Sequence, residues 1–177
     1  MSDRDLAERL RAVITAVPDF PREGVIFRDL TSLFGNGDVF RDAVDALVAA
    51  HRQQPVDLIV GVESRGFVVG GALAYVLGTG FVPVRKKGKL PRETLSVSYT
   101  LEYGEGALEI HSDAVAAGQR VLVVDDLLAT GGTAAATVSL VEQLGGEVVG
   151  IAFLVELEAL GGGKLLGDRP YVSLIRF

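Results

Sequence analysis

Apolar residues gather in four short continuous runs, each bounded by charged or turn residues: Leu58–Val62, Phe81–Val84, Val121–Val124 and Val148–Val155. Runs of this length and uniformity fit strands buried on both faces, the condition of a parallel sheet. Between them the period changes from continuous to helical. Gly66 to Leu77 stops at Gly78, and Thr133 to Leu144 stops at Gly145, a residue suited to helix C-termini. These segments are read as crossover helices, and the chain as an α/β fold with a parallel sheet flanked by helices. A last strand, Tyr171 to Arg176, is expected at a sheet edge.

Two helices precede this alternation. Ser2 can cap the first, with Asp3 and Asp5 where the helix dipole favours negative charge, and Pro18 lies beyond its end. The second starts at Asn36-Gly37-Asp38. Its apolar residues Val39, Phe40, Ala43, Val44, Leu47 and Val48 recur at helical spacing. One stretch departs from the pattern. Arg85 to His111 reads as a basic loop, a strand at Thr94–Tyr99, a turn at Tyr103–Gly106 and a strand at Ala107–His111. We expect an antiparallel flap at about residues 85–111, inserted as a lid. With no repeat or linker, residues 1–177 are read as one domain, with an N-terminal helix and loop over 1–35.

Composition narrows the chemistry. The chain is 49% hydrophobic, enough for a sizeable core, and carries a formal charge of −6. That balance argues against a duplex nucleic-acid binder. There are no cysteines, which excludes disulfides, thiolate metal sites and cysteine nucleophiles. The N-terminus lacks a signal-peptide core, and Val148–Val155 is far too short to span a bilayer. A cytoplasmic protein with no membrane partner is expected.

The chemistry concentrates where the run Val121–Val124 stops at two adjacent carboxylates, Asp125 and Asp126. Leu127, Leu128, Ala129, Thr130, Gly131, Gly132 and Thr133 follow, and then a helix. In open α/β sheets ligands bind beyond the carboxyl ends of strands. Here that end meets a helix N-terminus, whose free amides and dipole favour an anion. The glycines allow close backbone approach, and the threonines add hydroxyl donors. Phosphate is the natural guest. The carboxylates would repel it, so they must face hydroxyl donors or a cation. A phosphate, a diol and a metal together describe a phosphorylated ribose. The segment has neither the Gly-Lys-Ser/Thr of a Walker loop nor the Gly-x-Gly-x-x-Gly of a dinucleotide fold.

This segment resembles the phosphoribosyl-pyrophosphate (PRPP) signature of the type I phosphoribosyltransferases. Four further blocks are similar to the adenine phosphoribosyltransferases: Phe20–Asp29, Gly61–Phe67, Arg85–Pro91 and Ser98–Gly104. All five are collinear between about residues 18 and 157. The N-terminal helix and the tail after Leu160 carry little of the resemblance.

The resemblance implies transfer of a 5-phosphoribosyl group from PRPP to adenine, with Mg²⁺ bound mainly through PRPP, no direct protein metal site, and a homodimer. It also implies site roles. Asp125 and Asp126 sit by the ribose, and Ala129, Thr130, Gly131, Gly132 and Thr133 hold the 5-phosphate. Arg65, Arg85 and Lys89 meet pyrophosphate, beside a cis peptide at Glu63-Ser64. Ile26, Arg28 and Leu157 hold adenine, and the flap residue Glu102 is the acid/base at adenine N7. Chemistry supports part of this independently. A guanidinium on a strand-end loop can take two pyrophosphate oxygens, and a carboxylate desolvated by flap closure can exchange a proton near neutrality. A xanthine or hypoxanthine-guanine transferase would share the PRPP segment. So would a PRPP-sensing regulatory protein, which would need a nucleic-acid surface that so acidic a chain does not offer. His51 and His111 are read as structural or solvated.

Overall fold

The computed structural model describes residues 3–101 and 104–177. Ser2, Glu102 and Tyr103, to which the sequence assigns a cap, an acid/base and a turn, lie outside the described residues. The chain divides into two compact units, Met1–Ala46 and Leu47–Phe177.

In the first unit, α1 (Asp3–Val13) buries Leu6 and Leu10, one helical turn apart on the same face. An antiparallel pair follows, β1 (Thr15–Pro18) and β2 (Ile26–Asp29), in register from Thr15 opposite Asp29 to Pro18 opposite Ile26. The apolar stretch around Ile26 and Phe27 is therefore strand and not loop. Phe20 and Phe27 meet edge to face at 5.1 Å, beside a shallow hollow lined by Val17, Phe20, Phe27 and Asp29. A short α2 (Thr31–Phe34) leads to α3 (Gly37–His51). Asn36 accepts a hydrogen bond from the Val39 amide and marks the start of α3, as the sequence suggests.

The second unit is built on β3 (Leu58–Val62), β4 (Gly80–Lys86), β5 (Thr94–Leu101), β6 (Gly104–His111), β7 (Arg120–Val124), β8 (Leu127–Leu128), β9 (Glu147–Glu156) and β10 (Tyr171–Arg176). The strand order is β10-β9-β7-β3-β4-β6-β5, with β8 paired to β9. The first five are parallel, and β10 is an edge, as expected. β3 is buried along its whole length, and β7 from Val121 to Val124. Crossover helices α4 (Arg65–Leu77) and α5 (Gly132–Gln143) connect parallel neighbours. Alternate strand residues feed opposite faces. Val60, Val121, Val123 and Phe153 share a cluster with Val138 and Val141 of α5. On another part of the sheet, Gly70 of α4 packs so closely on Phe81 that a Cβ there would come within 2.8 Å of its ring. Gly78 closes α4 in the left-handed conformation, the role its position predicts. His51 is structural, its Nδ1 2.9 Å from the Leu47 carbonyl.

The flap is present, with different boundaries. β5 and β6 pair antiparallel from Thr94 opposite His111 to Leu101 opposite Gly104, so Gly104 to Gly106 are strand rather than turn. Gly106 faces Tyr99, and a Cβ there would lie 2.9 Å from the Tyr99 ring. The glycine serves close packing, not a bend. β6 also pairs with the end of β4, placing Arg85 opposite Glu109 and Lys86 opposite Leu108. The first two residues of the expected basic loop thus belong to a strand.

Candidate active site

β3, β7 and β4 run parallel, so their carboxyl ends deliver residues to one edge of the sheet. A cleft of about 490 Å³ lies there, lined by Val62, Glu63, Ser64, Arg65, Lys86, Tyr99, Leu108, Asp125, Asp126, Leu127, Ala129 and Thr133. A smaller concavity of about 70 Å³ continues from it along Asp125, Leu127, Leu128, Ala129, Thr130, Gly131, Thr133 and Ala134.

The loop after β7 is fixed by its backbone. The Asp125 amide donates to the Ala152 carbonyl at 3.1 Å. The Asp126 carbonyl accepts from the amides of Leu154 and Val155, each at 3.1 Å. β8 then pairs Leu127 with Val155 and Leu128 with Glu156, and the Leu157 amide donates to the Leu128 carbonyl at 2.9 Å. Gly131 follows at φ +85°, the left-handed region that favours glycine, and α5 begins at Gly132. No side chain caps that helix. Its first amides, which lack partners within the helix, border the smaller concavity.

The two carboxylates differ. Asp126 is 4% exposed and paired with Arg65, whose Nε lies 2.6 Å from its Oδ2. Asp125 is half-buried and accepts the Asp126 amide on Oδ1 at 2.9 Å. Burial, and then the neighbouring Asp126 carboxylate, push Asp125 well above the usual carboxylate range. Burial raises Asp126 as well, with the Arg65 guanidinium opposing it. Arg65 is the first residue of α4 rather than part of a free loop. The Glu63-Ser64 peptide is cis, as the resemblance implies.

Glu63 is the functional candidate that sequence reasoning missed. Its side chain is 6% exposed and holds two of the three expected pyrophosphate ligands: Arg85 Nε donates to one oxygen at 2.9 Å and Lys89 Nζ to the other at 2.8 Å. Burial would raise its carboxyl, but hydrogen bonds from Lys89 and Arg85 outweigh that and hold it below the ordinary value. An acid directly after a buried strand, in a chain with one basic cluster, was the available signal. Lys86, also not singled out, lines the cleft.

The structure therefore brings together Asp125, Asp126, Arg65, Ala129 and Thr133 in the cleft and Thr130 and Gly131 in the adjoining concavity. Gly132 opens α5, and Arg85 and Lys89 are tied to the cleft through Glu63. Leu157 directly follows β9. Ile26 and Arg28 lie on β2 in the first unit, Ile26 exposed and Arg28 half-buried.

A Phosphoribosyl transferase domain model matches residues 33–169. An adenine phosphoribosyltransferase of Salinispora tropica is 55% identical over 174 residues, covering 98% of this chain and 93% of that protein. The crystal structure of adenine phosphoribosyltransferase from Thermoanaerobacter pseudethanolicus superposes with a TM-score of 0.94 at 51% identity, covering 97% of this chain and 99% of the other. The Saccharomyces cerevisiae adenine phosphoribosyltransferase, solved with adenine and an imino-altritol bisphosphate, gives 0.91 at 43% identity, covering 97% and 99%. The similarity extends into both the N-terminal helix and the tail, beyond the blocks that carry the resemblance in sequence. This chain belongs to the phosphoribosyltransferase family, among its adenine phosphoribosyltransferases, and is a transferase enzyme.

Proposed function

We propose that the protein transfers the 5-phosphoribosyl group of PRPP to adenine, giving AMP and pyrophosphate. The observation that carries this reading is the loop from Asp125 to Thr133: paired carboxylates at a strand end, continuous with an uncapped helix N-terminus. That arrangement suits a sugar diol beside a phosphate.

In this mechanism the C1–oxygen bond of PRPP breaks early, its electron pair leaves with pyrophosphate, and adenine N9 bonds to C1. Asp125 and Asp126 hold the ribose hydroxyls and set negative charge near the oxocarbenium-like ribosyl. Ala129, Thr130, Gly131, Gly132 and Thr133 hold the 5-phosphate. Arg65, Arg85 and Lys89 exchange their carboxylate partners for the departing pyrophosphate. Ile26 and Arg28 read adenine through backbone groups, and Leu157 covers the ring. As N9 bonds to C1, Glu102 takes the proton from N7 of the N7–H tautomer of adenine and passes it on to solvent with the products, returning it to N7 only in the reverse reaction. The flap desolvates it by excluding water.

Oxygen donors suit Mg²⁺, which is commonly bound through one or two carboxylates and substrate phosphates. Asp125 and Asp126 line the cleft and would stand near an ion carried in by PRPP. Bound mainly through PRPP beside these two residues, the ion supplies neutralisation of pyrophosphate charge. The reading also includes a homodimer in the cytoplasm. No helix among the described residues is long and apolar enough to cross a membrane.

Pyrophosphate release from PRPP is the test, measured with adenine, guanine, hypoxanthine, xanthine and no base. Release with adenine alone is expected. Equal or preferred use of guanine overturns the adenine assignment. Glu102→Gln should lower turnover by about 10²-fold with PRPP binding little changed. Unchanged turnover would remove the acid/base role.

A further inference from the structure

The tail after Leu160 contributes no side chain to the cleft, yet it touches the phosphate loop more closely than any side chain could. Gly162, buried as the first residue of the 3₁₀ turn Gly162–Leu166, lies against the backbone of the loop. A Cβ on Gly162 would collide with the Ala129 carbonyl oxygen and come within 2.9 Å of the Gly131 amide nitrogen. The approach is reciprocal: a Cβ on Gly131 would collide with the Gly162 carbonyl. All the atoms met are backbone, so neither side can yield by rotating a side chain. The next residue is confined too. A Cβ on Gly163 would lie 2.5 Å from the Tyr171 hydroxyl, which donates to the buried Glu156 at 3.1 Å. Glu156 in turn pairs with Leu128, at the start of the phosphate loop.

We infer that Gly162 is a positioning residue for the 5-phosphate. Its bare backbone is a rear wall that sets where the Ala129–Gly131 peptides stand. The inference rests on the proposed assignment of this loop to the 5-phosphate. A wall at this end governs ligands that carry that phosphate and leaves the others untouched.

The experiment is Gly162→Ala, assayed in both directions with the folded state checked by thermal melting. KM for PRPP and for AMP, which carry the 5-phosphate, should rise about tenfold or more, since displacements of about 1 Å in a positioning group have effects of up to 10²-fold. KM for adenine and for pyrophosphate should stay within about twofold. A uniform change in all four constants, or none, overturns the inference. Should Gly162→Ala not fold, Gly163→Ala presses the same turn through the movable Tyr171 ring. It should give a smaller rise in the same two constants, which Gly163→Ala with Tyr171→Phe removes. A rise that the second substitution leaves in place overturns the inference as well. Wild-type protein without adenine- and PRPP-dependent turnover would instead defeat the functional reading, independently of either variant.

Discussion

At one end of the cleft the Asp125–Thr133 loop is held by backbone amides from β9, by the pairing of β8 and by glycine-to-glycine contact with the tail. At the other end Arg65, Arg85 and Lys89 are held by long side chains reaching two buried carboxylates, Asp126 and Glu63. The first construction is preformed, because displacing a backbone means disturbing the sheet. The second is exchangeable, because an ion pair with a partly exposed cation can be traded for another anion at modest cost. The titration of the acids follows the same division. Burial and mutual repulsion raise Asp125, whereas Arg85 and Lys89 overcome burial to lower Glu63. On the proposed reading, a fixed end for the sugar phosphate and an exchangeable end for pyrophosphate suit a reaction in which one product keeps the sugar phosphate and the other departs.

The two ends of the cleft meet at Asp126, where one substitution acts on both. Asp126 belongs to the sugar loop and holds Arg65 of the other end. Asp126→Asn removes one charge from both. It should lower kcat/KM for PRPP about a hundredfold, as expected when charge-assisted hydrogen bonds of about 1.5–3 kcal/mol are lost. Initial rates at saturating adenine measure it. A loss below threefold would mean that Asp126 serves neither end.

Glu63→Gln separates the ends. The amide keeps the shape but loses the charge that aligns Arg85 and Lys89. In the reverse reaction KM for pyrophosphate should rise about fivefold, the equivalent of the roughly 1 kcal/mol contributed by a partly exposed pair. KM for AMP should not move. This mirrors the pattern expected of Gly162→Ala, and equal shifts in both constants would erase the distinction between the two ends.

These two residues also mark what the sequence could convey. The parallel core was legible because strands buried on both faces leave continuous apolar runs, and Asp125 to Thr133 was legible because one contiguous segment contains the whole loop. Glu63 was not, since its partners lie 22 and 26 residues away and an acid after a buried strand does not by itself say which cations it holds. Gly162 meets atoms about thirty residues earlier through backbone alone, which no side-chain pattern records. The β1–β2 pair escaped because its strands are short and contain no buried residue, without the alternation that marks a half-buried strand. Gly106 was misread as a turn because a glycine needed for packing against Tyr99 has the same letter as one needed for a bend.

Stability reads the same division. Asp125 is raised by burial and by Asp126, so the native state holds its proton more tightly than the unfolded chain does. That contribution is present at low pH and lost as pH rises through the folded-state value. Where pH exceeds that value, the charge on Asp125 is a cost to the fold. Asp125→Asn should therefore raise the melting temperature at pH 7.5 by about 2–4 °C, the shift that about 1 kcal/mol produces in a chain of this size, while activity falls. A lower melting temperature would show that the charge stabilises the loop.

Glu63 should behave in the opposite sense. Its carboxyl is held below its ordinary 4.5 by Lys89 and Arg85. Its contribution is complete above that pH and declines as pH falls through the lower folded-state value. The pair is worth about 1 kcal/mol, because Arg85 and Lys89 are 35% and 49% exposed and water screens them. Urea unfolding of wild type and Glu63→Gln from pH 7 to pH 3 should show a gap near that size at neutral pH which closes on acidification. Asp57, held at about 2 by Arg120 at the opposite end of β7, keeps its charge over most of this range in both proteins and cancels in the comparison. A gap that persists undiminished at pH 3 would mean that Glu63 acts through its shape and not its charge. The pyrophosphate end would then be as fixed as the sugar-phosphate end.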